Sequence, residues 1–165
     1  MSRPSGTEPA PPRVMVIGVG NSYRHDDGVG RVIARRLEDE LAGAVVVREE
    51  SGEGAALLEA WHDADVVYLL DAVSSGADAG TIVRCDAVAR PIPATYFRYS
   101  SHAFSVAEAI EVARALGQLP PRLIVYGVEG ADFTAGVGLS GAVERAVEPV
   151  VRAVRDELGP VLPLA

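Results

Sequence analysis

The sequence predicts an α/β sandwich in which helices cover both faces of a five-stranded, mostly parallel sheet. Five short runs rich in Val and Ile, each bounded by turn residues, have the length and composition of buried strands. Between most of them lie segments whose apolar residues return every third or fourth position, the period of an amphipathic helix. One link, "AVSSGADAG" between the third and fourth runs, is too short for a crossover helix, so the fourth strand is expected to run antiparallel.

The first strand is read at 13–19 ("RVMVIGV"), followed by a helix carrying Val29, Ile33, Leu37 and Leu41 on one face. The second strand, 44–49, leads into "GEGAALLEAWHDA", with Leu57, Leu58 and Trp61 on one side. Strands at 65–71 and 80–86 flank the short link. "AVARPIPATYFRYSS" has prolines and no period and reads as a loop; the next helix stacks Ala103, Val106, Ile110 and Ala113. A fifth strand at 122–129 precedes a last helix built on Val143, Val147, Val150 and Val154, which Pro149 is expected to kink or break. Residues 1–12, polar and Pro-rich, read as a disordered tail and not a signal peptide; 13–158 form a single domain, and 159–165 a C-terminal tail.

A formal charge of −8, with 15 basic against 23 acidic residues and no basic block, argues against nucleic-acid and anionic-membrane partners. No apolar run approaches the ~20 residues that span a bilayer. The single cysteine, Cys85, allows no intrachain disulfide and sits mid-strand, where burial makes a thiol inert; a cytoplasmic location is expected.

The loop "GVGNSYRHDDGVG" after the first strand raises two possibilities. Gly18 and Gly20 start a dinucleotide fingerprint, but Tyr23 stands where its third glycine belongs. Asp26 and Asp27 would also repel a phosphate at the helix N-terminus. The alternative roles for the two aspartates are helix capping and cation binding. Asp71, ending an apolar strand where the sheet's carboxyl edge opens, favours the second. His102 in "YSSHAFS" is either a cap-region residue or a ligand; together with Asp27 and Asp71 it makes an O, O, N set acceptable to Ni²⁺ or Zn²⁺. No Gly-x-Ser-x-Gly or His-Glu-x-x-His motif supplies a standard nucleophile or zinc site.

Taken in order, "GVGNSYRHDDGVG", "LLDAV", "SSHAFSVAEAI", "LIVYGVEG" and "LSGAVERAVEPVV" resemble the hydrogenase maturation endopeptidase family over about residues 13–157; the Glu148-Pro149 pair fits that pattern too. The resemblance implies a phosphorylase/hydrolase-like three-layer α/β/α sandwich with sheet order 2-1-3-5-4 and strand 4 antiparallel. It also implies a protease that removes the C-terminal extension of a [NiFe] hydrogenase large-subunit precursor, reading the inserted nickel as its signal. By position, the metal-contacting residues fall on Asp27, Asp71 and His102, either aspartate could act as base, and Gly18, Gly20, Asn21, Asp26 and Gly28 fall in the substrate-facing loop. Nickel is then borne by the precursor, with at most weak divalent-metal binding by the protein alone. Two departures bear on which precursor is recognised: Glu50-Ser51-Gly52-Glu53 stands where the family often has Asp-Gly-Gly-Thr, and Ser101 where Pro is common. Two other classes remain open here, a non-cleaving metal-recognising chaperone or checkpoint module and a nucleotide-binding enzyme.

Overall fold

The computed structural model describes residues 6–41, 43–97 and 104–162. Its elements alternate as the sequence periodicity predicts: β1 (Val14–Val19), α1 (Val29–Leu41), β2 (Val46–Glu50), α2 (Gly54–Ala60), β3 (Val66–Val73), β4 (Ile82–Asp86), α3 (Val106–Ala115), β5 (Arg122–Glu129) and α4 (Gly141–Leu158). The sheet order is β2-β1-β3-β5-β4, with β4 antiparallel to β5 and every other pair parallel.

Residue parity along the strands separates two cores. Val66, Tyr68, Leu70 and Ala72 of β3 join Ile124, Tyr126 and Val128 of β5 beneath α1 and α4. Val67 and Leu69, with Leu123 and Val125, lie beneath α2 and α3 on the opposite face. β3 and β5 are thus apolar on both faces, as central strands of a covered parallel sheet must be.

The link from β3 to β4 passes over the end of β5, and both strand ends it joins lie at the same edge, which is why β4 must run backwards. Glu129, buried at the end of β5, pins this link. Its carboxylate accepts the Ser75 and Gly76 N–H groups and the Ser75 hydroxyl at 2.8–3.1 Å.

Of the kink or break expected at Pro149, the break does not occur: α4 runs from Gly141 to Leu158 through Pro149. Proline removes the N–H that would pair with the Arg145 carbonyl, but Arg145 and Pro149 both face solvent, where water can replace the lost bond. Val147, Val150, Val151 and Val154 meanwhile bury both halves of the helix in one core.

Helix α1 lies unusually close to the sheet. A Cβ on Gly30 would sit 2.1 Å from the Leu70 carbonyl oxygen and 2.6 Å from that of Val19; one on Gly18 would meet the Gly30 oxygen at 2.6 Å and the Ala34 Cβ at 2.7 Å. These obstacles are mostly backbone and cannot swing aside. Gly30→Ala should therefore cost at least about 2 kcal/mol, read from urea unfolding.

At the far side of α4, Glu157 accepts hydrogen bonds from Arg84, Arg122 and the Tyr126 hydroxyl, beside the stacked Tyr68–Tyr126 pair. Partial burial would raise the Glu157 pKa, but the Arg84 and Tyr126 bonds and both guanidinium charges outweigh it and hold it below its ordinary value. Burial, reinforced by the Glu157 carboxylate, pushes Tyr126 up to about 12. A depressed carboxylate pKa stabilises the fold above the unfolded-state value and loses that contribution as pH falls through the native one. Glu157→Gln should cost about 1–3 kcal/mol at pH 7. In matched urea titrations the difference should shrink below about pH 4.

Candidate active site

The sheet's strand order reverses direction between β1 and β3: β1 feeds α1 and β2 on one side, while β3 neighbours β5 on the other. Such a switch point opens a crevice beyond the carboxyl ends of the strands. Here β1 stops pairing with β3 at Gly18–Leu70, whereas β3 continues beside β5 as far as Val73, so Asp71 lies just past the end of the β1–β3 pairing.

The chain leaves β1 through Gly20, whose φ of +136° suits glycine alone; a Cβ there would lie 1.8 Å from the Asp27 carbonyl oxygen. The loop then wraps around Asp27. Its Oδ2 accepts the Asn21 N–H at 2.9 Å, and the Asn21 side-chain oxygen accepts the Tyr23 N–H at 2.9 Å. A short 3-10 turn, His25–Gly28, delivers Asp27 to the start of α1.

Asp27 and Asp71 meet on one cleft of about 610 Å³. Asp71 is buried and receives one backbone bond, from the Ala72 N–H at 2.8 Å. Burial first and the Asp27 carboxylate second push its pKa well above the ordinary aspartate range, with that bond only partly offsetting them. Two carboxylates in repulsion at a crevice mark a place that favours either a shared proton or a cation. Their oxygens are suitable donors for a borderline divalent metal. Among the described residues no group of three or more His, Cys, Asp or Glu side chains is placed to hold a metal. His102, the nitrogen donor of the expected set, lies outside the described residues.

The remaining expected residues separate into cleft and support. Gly20 and Asn21 line the cleft. Gly18 lies under α1, and Gly28 packs against Ser22. Asp26 neither caps a helix nor faces the cleft. It is fully buried and accepts the Ala131, Asp132 and Ser140 N–H groups and the Ser140 hydroxyl at 2.8–2.9 Å. Burial alone would raise its pKa, but these four bonds prevail and lower it. It ties the 3-10 turn to the loop 130–140 between β5 and α4.

That loop, together with Tyr23, Arg24, Arg31, Arg35, Tyr96 and Phe97, supplies cleft walls that sequence reasoning did not single out. Arg31 Nε donates to the Gly20 carbonyl at 2.6 Å, and Arg35 pairs with Glu49 through two bonds. Glu49 is therefore an ion-pair partner on β2. Glu129 closes the apolar run of β5 much as Asp71 follows the apolar run of β3, two residues before that strand's end at Val73, and that shared pattern was its available signal. Cys85 is half-buried with its thiol pKa raised by burial, and His62 is exposed. No helix among the described residues is long and apolar enough to cross a membrane.

The family model described as HycI, hydrogenase maturation protease, matches residues 32–157, a span that includes Asp71 and begins after Asp27. Hydrogenase 2 maturation protease of Escherichia coli (strain K12) is 30% identical over 148 residues, 86% of this chain and 88% of the relative. Hydrogenase expression/formation protein HupD of Rhizobium leguminosarum bv. viciae is 29% identical over 162 residues, 93% of this chain and 79% of the relative. The solution structure of an endopeptidase from Escherichia coli matches with a TM-score of 0.77 at 28% identity, over 88% of this chain and 91% of that one. The hydrogenase maturating endopeptidase HybD from E. coli, at 23% identity and a TM-score of 0.67 over 88% and 91% of the two chains, shares the fold. A switch-point cleft with paired carboxylates, on a chain that matches this family along most of its length, leads to one assignment: the chain belongs to the hydrogenase maturation protease family and is an endopeptidase.

Proposed function

We propose that this endopeptidase removes the C-terminal extension of a [NiFe] hydrogenase large-subunit precursor after nickel insertion, and that the inserted nickel is its recognition signal. The observation that carries this reading is the convergence of Asp27, from the turn before α1, and Asp71, from β3, on one open cleft. Asp27, Asp71 and His102 are the donors assigned to the precursor's metal, the last by its place in the motif alone. Nickel held there would supply positive charge beside the scissile carbonyl.

The chain's own groups carry the proton transfers. One of the paired carboxylates accepts a proton from the attacking water as oxygen adds to the carbonyl carbon. It returns that proton to the nitrogen as the C–N bond breaks, leaving a new carboxylate and a new amine. The Asn21 N–H holds the Asp27 carboxylate by Oδ2, and the Ala72 N–H holds Asp71 by Oδ1, so neither rotates freely. A protein with one cysteine suits the reducing cytoplasm, where the reaction is placed in this proposal.

The test is the intact mass of a nickel-loaded large-subunit precursor incubated with the protein, beside a nickel-free control. Loss of a C-terminal peptide from the loaded precursor only is expected. Asp27→Asn and Asp71→Asn should each slow cleavage by about 10²-fold or more while a pull-down still captures the precursor. Binding without cleavage by the wild-type protein would replace this reading with a non-cleaving checkpoint module.

A further inference from the structure

The two most exposed large apolar side chains among the described residues, Tyr23 at 74% and Val137 at 73%, both line the cleft that holds Asp27 and Asp71. They come from segments far apart in sequence, and the fold fixes them side by side. The Gly136 N–H donates to the Tyr23 carbonyl at 2.8 Å, and the His25 N–H donates to the Gly136 carbonyl at 2.9 Å. Arg24 and Gly136 form a parallel bridge, and Arg24 Nε donates to the Phe133 carbonyl at 3.2 Å.

His25 reinforces the clamp. It adopts a φ of +45°, uncommon outside glycine, its Nδ1 lies 3.0 Å from the Gly138 carbonyl, and its ring occupies the space a Cβ on Gly136 would need. Asp26 holds the same loop at Ala131, Asp132 and Ser140. These ties fix the backbone that carries Tyr23 and Val137 at the rim. The backbone groups that hold these segments together are engaged with each other, and at Tyr23 and Val137 the rim offers a ligand exposed apolar side-chain surface. Phe133, half-buried against the core, continues that surface into the cleft.

We propose that Tyr23, Phe133 and Val137 form a specificity shelf that takes an apolar side chain of the precursor beside the scissile bond. The inference rests on the protease reading and commits to its substrate as occupant: the shelf lines the same cleft as the paired carboxylates, where a chain held for cleavage lies within its reach. Discrimination then comes from burying an apolar side chain against a rigid surface, and it should appear in binding more than in the chemical step.

The experiment measures both precursor binding and steady-state cleavage for wild type, Tyr23→Ser, Val137→Ser and the double variant. Tyr23→Phe serves as the conservative replacement, and Leu116→Ser removes an apolar side chain that is 60% exposed away from the cleft. The double variant should raise Kd and KM about tenfold or more with kcat held within about twofold. Tyr23→Phe should restore near-wild-type values, and Leu116→Ser should change neither. Both serine sites are exposed, so unchanged melting curves should accompany the loss. Wild-type Kd and KM in the double variant, with cleavage intact, would overturn the shelf and leave the protease reading standing. A kcat loss at unchanged KM would likewise overturn it. Binding without cleavage by wild type, still weakened in the double variant, would retain the shelf and overturn the protease reading. If wild type neither binds nor cuts the loaded precursor, both fall together.

Discussion

The site depends on how closely α1 approaches the sheet. Gly18 on β1 and Gly30 on α1 leave no room for a side chain between helix and strands, and Gly30 rests against the carbonyl of Leu70. Leu70 immediately precedes Asp71, and Asp27 lies three residues before Gly30 along the chain. One close contact thereby brings the two carboxylates to the same edge from elements that are more than forty residues apart. If the helix stood off by the width of a methyl group, Asp27 would move away from Asp71 while each remained in its own element. A glycine contact buried in the core, remote from any substrate, thus sets the geometry of the cleft.

Buried carboxylates occur at three places around this edge, and their surroundings distinguish their roles. Asp26 receives three N–H bonds and one hydroxyl bond, and Glu129 receives two N–H groups and a hydroxyl. Both satisfy backbone donors that the irregular loops would otherwise leave unpaired, which is a structural task. Among the described residues Asp71 receives a single N–H and faces another carboxylate. Bonds to the charged form prevail at Asp26 and lower its pKa, whereas burial and repulsion prevail at Asp71 and raise it. A buried acid whose pKa is raised in this way, at a crevice, has a functional explanation more readily than a structural one.

This contrast explains what could be read in the sequence. Strand and helix periodicity reports which face is buried, so the layers were legible, and the short third link carried the direction of β4 because chain length limits what a connection can reach. Asp71 was legible as an acid ending an apolar strand. Glu129 bears the same signature, and only its partners at Ser75 and Gly76 separate the two. Asp26 and Asp27 are adjacent and chemically identical; which one turns inward depends on a loop more than a hundred residues downstream. The cleft walls at Tyr23, Phe133 and Val137 follow no period because they belong to loops, and tertiary hydrogen bonds decide where they point. Pro149 does not end the helix, because the buried valines around it override the local cost of a proline there.

Burial beside Asp27 makes the charged form of Asp71 costly, and the pair relieves that cost by taking up either a proton or a cation. A cation between them would remove that cost and convert it into attraction. In the proposed function this charge arrives with the substrate, so the same precursor chain would bind differently with and without its metal. The discrimination needs no moving part, because a cation can replace the proton that burial favours on Asp71, and a partner without positive charge offers no such exchange. The apolar rim complements this logic. Charge would report whether the precursor is loaded, and side-chain fit against Tyr23, Phe133 and Val137 would report which chain carries it. Two independent physical terms, one electrostatic and one hydrophobic, would have to be satisfied at one place before the peptide bond is exposed to water and base.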